Sequence, residues 1–203
     1  MQTLSNIQTH RDELLRRIGR NVVNFQYLEN LLRSMIPALE NEGTLSNWQS
    51  SIAATTKKHK KSSLGSLADT FLDGIFYDPM AEELDTDAAP TEISVRVGFQ
   101  IEVTPEHAAE RKRGLKKLVS ERNRLIHREV LGVDLESSQQ CELLSARLDE
   151  QNDQIREQLD YFNTLRKTQR EAYAELVKYM QTDEFLSVLC GERDNDGHVA
   201  EQN

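Results

Sequence analysis

One six-residue run carries side chains suited to proton transfer and phosphate chemistry: Arg122-Asn123-Arg124-Leu125-Ile126-His127. Histidine titrates near neutrality and can move a proton. Arginine presents a planar fork to phosphate oxygens and stabilises negative charge that develops on them. RNA brings its own nucleophile, the 2′-hydroxyl, so a site that cleaves it needs little more than these two functions. The run holds a single histidine. An acid and a base together need two, which points to two subunits sharing one cleft. Asn123 and His127 are four residues apart and share a helical face, so Asn123 is placed to orient His127 or to bind phosphate. Arg122 lies ~140° round from His127 on a regular helix. It also continues the stripe of Leu115, Leu118 and Leu125, where a guanidinium needs a partner. Glu29, between Phe25 and Leu32 on an earlier stripe, is the candidate partner. Further contacts to RNA are expected from Arg124 and Arg128, and from the run Lys57, Lys58, Lys60 and Lys61.

Hydrophobic periodicity supplies the elements that must hold these residues. Leu15, Ile18, Val22, Phe25, Leu32, Ile36 and Leu39 recur at spacings of three and four, and Leu14, Leu28, Leu31 and Met35 widen the stripe. This predicts a long helix over about 7–40, ended by Pro37 and Asn41-Glu42-Gly43. Ser46 is a candidate cap for a weaker helix, and a short helix is expected from Leu64 to Ile75. Residues 81–91 are acidic and read as an exposed loop. Ile93, Val95, Val97, Phe99, Ile101 and Val103 alternate with mostly polar residues, which predicts strand. Gly98 suggests a bulge or tight hairpin within it. Thr104-Pro105-Glu106 is a helix start, and that helix carries the six-residue run to an exit near Arg128–Gly132. A last long helix is predicted from about Glu136 to Met180, with a further turn at Phe185–Leu189. The expected fold is all-α: a bundle of about four main helices with a small β-hairpin insertion near 91–103. Residues 1–190 are expected to form one domain, and 191–203 a flexible tail.

Composition narrows the function classes. The chain has 203 residues, 37% of them hydrophobic and 29% charged, with only nine glycines and four prolines. So few turn residues argue against a β-sandwich or barrel. No segment has the length of apolar sequence a membrane span needs, and no signal-like segment opens the chain. Cys141 and Cys190 show no metal spacing and no C-x-x-C pattern, which fits a reduced, cytoplasmic setting and inert thiols. His10, His59, His107 and His198 are scattered, so no metal site is expected. No glycine-rich phosphate loop is present, and no cofactor is expected. The net charge of −9 disfavours broad coating of nucleic acid. Yet residues 104–130 hold eight Lys and Arg against four Glu, so the motif-bearing segment is basic.

The R-N-x-x-x-H run at a bundle helix end resembles the signature of HEPN-domain proteins. The resemblance spans residues 7–180, and its specific part is six residues long. It implies a helical bundle and a metal-independent ribonuclease (a hydrolase) of toxin–antitoxin, antiphage-defence or RNA-processing type. It implies a homodimer with a composite site, in which Arg122 and His127 match the defining pair and Asn123 a common polar position. Glu29 would be the supporting acidic residue on an earlier helix. The implied partners are RNA, a second copy and a protein regulator or antitoxin, with no membrane. His127 is followed by Arg128-Glu129, unlike the histidine-x-tyrosine ending of one toxin branch. The residues also admit another reading: a catalytically silent HEPN-like interaction or scaffold module, with Arg122 and Glu29 as a structural pair.

Overall fold

The computed structural model describes residues 2–44, 47–77 and 94–189. The acidic loop over 81–91, Ser46, Cys190 and the tail over 191–203 lie outside the described residues. In chain order the elements are α1 (Gln2–Met35), a 3₁₀ turn (Ile36–Ala38), β1 (Glu40–Thr44), α2 (Trp48–His59) and α3 (Leu64–Ile75). Then come β2 (Phe76–Tyr77), β3 (Ser94–Gly98), β4 (Ile101–Glu102) and α4 (Pro105–Arg124). A π-helical turn (Leu125–Glu129) leads into α5 (Val130–Gly132), then α6 (Ser138–Tyr179) and α7 (Asp183–Leu189). The chain divides into two compact units, residues 1–164 and 165–203.

The first unit is an all-α bundle with a small antiparallel sheet. Its core is built by α1, α3, α4 and the first part of α6. Phe25, Leu28, Leu32, Leu67, Phe71, Leu115, Leu118, Leu148, Ile155 and Phe162 are all buried. Phe71 of α3 meets Phe162 of α6 edge to face at 5.2 Å between ring centroids. On α1 the buried stripe runs through Leu14, while Leu15 stays about half exposed. Both leucines fit the periodicity, and packing against the neighbours selects one. Helix starts follow local chemistry. The Ser63 hydroxyl accepts from the Ser66 N–H (3.4 Å), and the Thr104 hydroxyl from the His107 N–H (3.3 Å). Pro37 sits in the 3₁₀ turn that ends α1, and the Asn41 side-chain amide donates to its carbonyl (2.6 Å).

Among the described residues, two of the four strands, β3 and β4, fall where alternation predicts, but each pairs with a strand outside that stretch and not with the other in a hairpin. β3 pairs antiparallel with β1, from Glu40 opposite Gly98 to Thr44 opposite Ser94. Asn41-Glu42-Gly43 is therefore strand and not the expected helix terminator: α1 ends at Met35 and the 3₁₀ turn at Ala38, and Glu40 already belongs to β1. β4 pairs parallel with β2, Phe76 opposite Ile101 and Tyr77 opposite Glu102. Gly98 is required at the corner: a Cβ there would stand 2.9 Å from the Leu39 carbonyl oxygen. Phe99 then donates its N–H to that carbonyl (2.9 Å).

In the second unit, α6 continues to Tyr179 and turns into α7. The Thr182 hydroxyl accepts from the Phe185 N–H (3.3 Å), and Tyr179 packs edge-on against Phe185. Among the described residues, no helix is long and apolar enough to cross a membrane.

Candidate functional site at the end of α4

Helix α4 is fixed along its length before it reaches the motif. Leu115 and Leu118 are buried. Lys112 pairs with Asp73 of α3 (2.9 Å), and Lys116 reaches Asp69 (3.7 Å). The Asp73 carboxylate holds the Lys112 ammonium above its ordinary range through a hydrogen bond. Arg111 lies over the Tyr161 ring, 4.3 Å from its centroid, and approaches Glu157 (3.8 Å). Part of the basic surplus of α4 is thus engaged within the bundle.

At its C-terminal end, α4 widens. Leu125 closes the regular helix by donating its N–H to the Glu121 and Arg122 carbonyls. The Val130 N–H then donates to the Leu125 carbonyl, five residues back. This π-turn accommodates one residue more than an α-helical turn, and such turns recur at functional sites. Leu125 is buried and anchors the turn, while His127 and Arg128 project into solvent. The turn winds less per residue than an α-helix, so His127 lies nearer the Arg122 direction than regular geometry gives.

The structure brings part of the expected site together. The Arg122 guanidinium donates to the Asn123 side-chain oxygen (3.2 Å). His127 and Arg128 have no hydrogen-bond or ion-pair partner among the described residues. Arg124 is held instead by Glu121 (2.5 Å) and Glu129 (3.2 Å). Glu29 does not meet Arg122; it pairs with Arg33 one turn along its own helix (2.7 Å). An i,i+4 partner on the same helix is always within reach, and it takes the carboxylate first. Arg33 also donates to the His59 and Ser62 carbonyls, so this pair ties α1 to the α2–α3 connection. Lys57, Lys58, Lys60 and Lys61 are exposed around the end of α2, with His59 buried among them.

Sequence reasoning missed three residues beside the motif. Arg147 of α6 bonds both Glu121, before the π-turn, and Glu129, its last residue. Behind it, the Gln151 amide donates to Glu121 (3.4 Å), and buried Asn21 of α1 donates to Gln151 (3.0 Å). The available signal was two glutamates flanking a basic motif, which is common on any helix surface. Their shared arginine lies on another element. An open cleft of about 490 Å³ adjoins the network, lined by Arg124, Arg128, Arg147 and Glu129 together with Val133, Leu143 and Leu144. Val130, Leu131 and Leu143 are exposed next to it, Leu131 at 80%.

Elsewhere, His10 Nδ1 meets both Ser138 Oγ and Glu142 (3.1 Å). One ring nitrogen serves both partners, so the relay of a serine–histidine–acid triad is missing. Cys141 is buried, and desolvation pushes its thiol up, away from reactivity. Among the described residues, no group of three or more His, Cys, Asp or Glu is placed to hold a metal ion. No family model, curated protein or solved structure matches the chain.

Proposed function

We propose that the chain is a metal-independent endoribonuclease of HEPN type that works as a homodimer. The observation that supports this reading most is the end of α4. Arg122 is steadied by Asn123, and His127 stands exposed on a widened turn beside an arginine-lined cleft. In the reaction, one His127 takes the proton of the 2′-hydroxyl. The 2′-oxygen bonds to phosphorus, and the bond to the 5′-oxygen breaks. The second subunit's copy of the same histidine returns a proton to that leaving oxygen. Arg122 holds the non-bridging oxygens as charge develops on them. The products are a 2′,3′-cyclic phosphate and a 5′-hydroxyl. Val130, Leu131 and Leu143 are exposed apolar side chains, two of them within four residues of His127, and supply the surface for the twofold contact.

Single-stranded RNA incubated with the purified chain and a chelator is expected to be cut to cyclic-phosphate ends, while DNA survives. His127→Ala and Arg122→Ala should abolish the cut with unchanged helical circular dichroism. Intact RNA with the wild type, or equal cutting by all three proteins, would overturn the assignment. One observation favours the silent scaffold as a second reading: among the described residues, no side chain bonds to the His127 ring.

A further inference from the structure

The carboxylates of Glu121 and Glu129 bracket the π-turn, one before it and one at its last residue. Arg147 reaches both from α6. Arg124, the residue just before the turn, reaches both as well (2.5 and 3.2 Å). Two guanidiniums and two carboxylates thus close a ring across the base of the turn. The ring is partly sheltered, with the Glu121 and Glu129 side chains 18% and 13% exposed. Glu129 Oε2 is buried and, among the described residues, accepts no hydrogen bond. A carboxylate so desolvated is costly unless its charge is matched, and Arg147 and Arg124 supply the match at the other oxygen. The ring is braced from behind by Gln151 and Asn21, both buried.

A π-turn is less stable than the α-helical turn it replaces and persists where its surroundings hold it. We infer that Arg147 is a positioning residue: it clamps the two ends of the wide turn and so fixes the direction in which His127 is presented. With the clamp released, the turn slips toward regular α-helix and carries His127 round the helix axis. The geometric part stands on the ion ring alone. Its consequence for catalysis rests on the ribonuclease reading.

The test uses the full chain, with Arg147→Ala, Arg147→Lys and Glu129→Gln, each checked for folding by circular dichroism. The His127 ring-proton resonances are expected to move in all three variants, because lysine has a single nitrogen where Arg147 uses two, one for each carboxylate, and the amide carries no charge. The Val130 amide should exchange about tenfold faster in Arg147→Ala, the equivalent of one charge-assisted hydrogen bond. In the cleavage assay kcat should fall on the order of a hundredfold with KM within about twofold, the pattern of a misplaced catalytic group. Unmoved His127 resonances in a folded variant would overturn the clamp. If Arg147→Ala does not fold, the other two variants decide the matter by the same signals. A wild type that leaves RNA intact, with His127 signals that still move, would remove the nuclease reading and uphold the clamp.

Discussion

At the scale of single residues, the ion pairs decide which substitutions touch stability and which touch chemistry. Glu29 and Arg33 form a partly sheltered bridge that also reaches the His59 and Ser62 carbonyls. Arg33→Ala is expected to lower unfolding stability in urea by about 1–3 kcal/mol, because two carbonyls and a carboxylate lose a charged donor. Glu29→Gln should cost only about 1 kcal/mol and leave any RNA cleavage intact, since Glu29 is not at the site. His127→Ala should behave in the opposite way. The ring is exposed and unpartnered among the described residues, so stability should move by less than about 0.5 kcal/mol while cleavage falls by about 10²–10⁴. His59 adds a pH term. Burial, with Lys58 nearby, holds its pKa below the usual 6.5. The unfolded chain therefore binds a proton more readily than the folded one. The stability from neutral His59 is fully present above about pH 6.5 and is lost as pH falls below that value toward the lower one of the folded state. Urea midpoints at pH 8 and pH 5.5 should separate, and His59→Gln should narrow the gap.

At the scale of elements, local chemistry was legible and long-range pairing was not. Thr104-Pro105-Glu106 starts a helix by capping alone, so the residues suffice to announce α4. Leu14 and Leu15 both suit the α1 stripe, and only the neighbours that bury Leu14 distinguish them. Asn41-Glu42-Gly43 reads as a terminator because its residues disfavour strands. It becomes β1 through a partner at 94–98, more than fifty residues on. The π-turn was hidden for a related reason. Leu125–Glu129 has an ordinary helical composition, and what holds the turn wide is a ring of charges completed from α6. The Arg122–His127 motif was visible as a string, whereas its support by Arg147 was not. At the sheet corner, Gly98→Ala would push a methyl against the Leu39 carbonyl. The expected loss is about 1–3 kcal/mol, seen as a lower melting temperature with unchanged helix content.

At the scale of the whole molecule, the question is how an acidic chain meets a polyanion. Lys112 and Lys116 are engaged by Asp73 and Asp69, and Arg124 and Arg147 by Glu121 and Glu129. Arg122 and Arg128 remain at the site without a carboxylate partner among the described residues. Two such arginines per chain, four in a cleft shared by two chains, predict a slope of about −2.8 for log affinity against log salt on single-stranded RNA. Anisotropy measurements on His127→Ala should give that value, and adding Arg128→Ala, which removes two of the four, should reduce its size by about 1.4. Leu131→Glu should place a charge in the proposed twofold contact. Sedimentation is expected to show monomer, and cleavage should vanish with it. The short parallel ladder of Phe76-Tyr77 with Ile101-Glu102 has a consequence of another kind. It pins both ends of the excursion that separates α3 from α4. The end of α3 and the approach to α4 are thereby tied to each other by backbone hydrogen bonds, so the two helix ends share one anchor and should lose their amide protection against hydrogen exchange together.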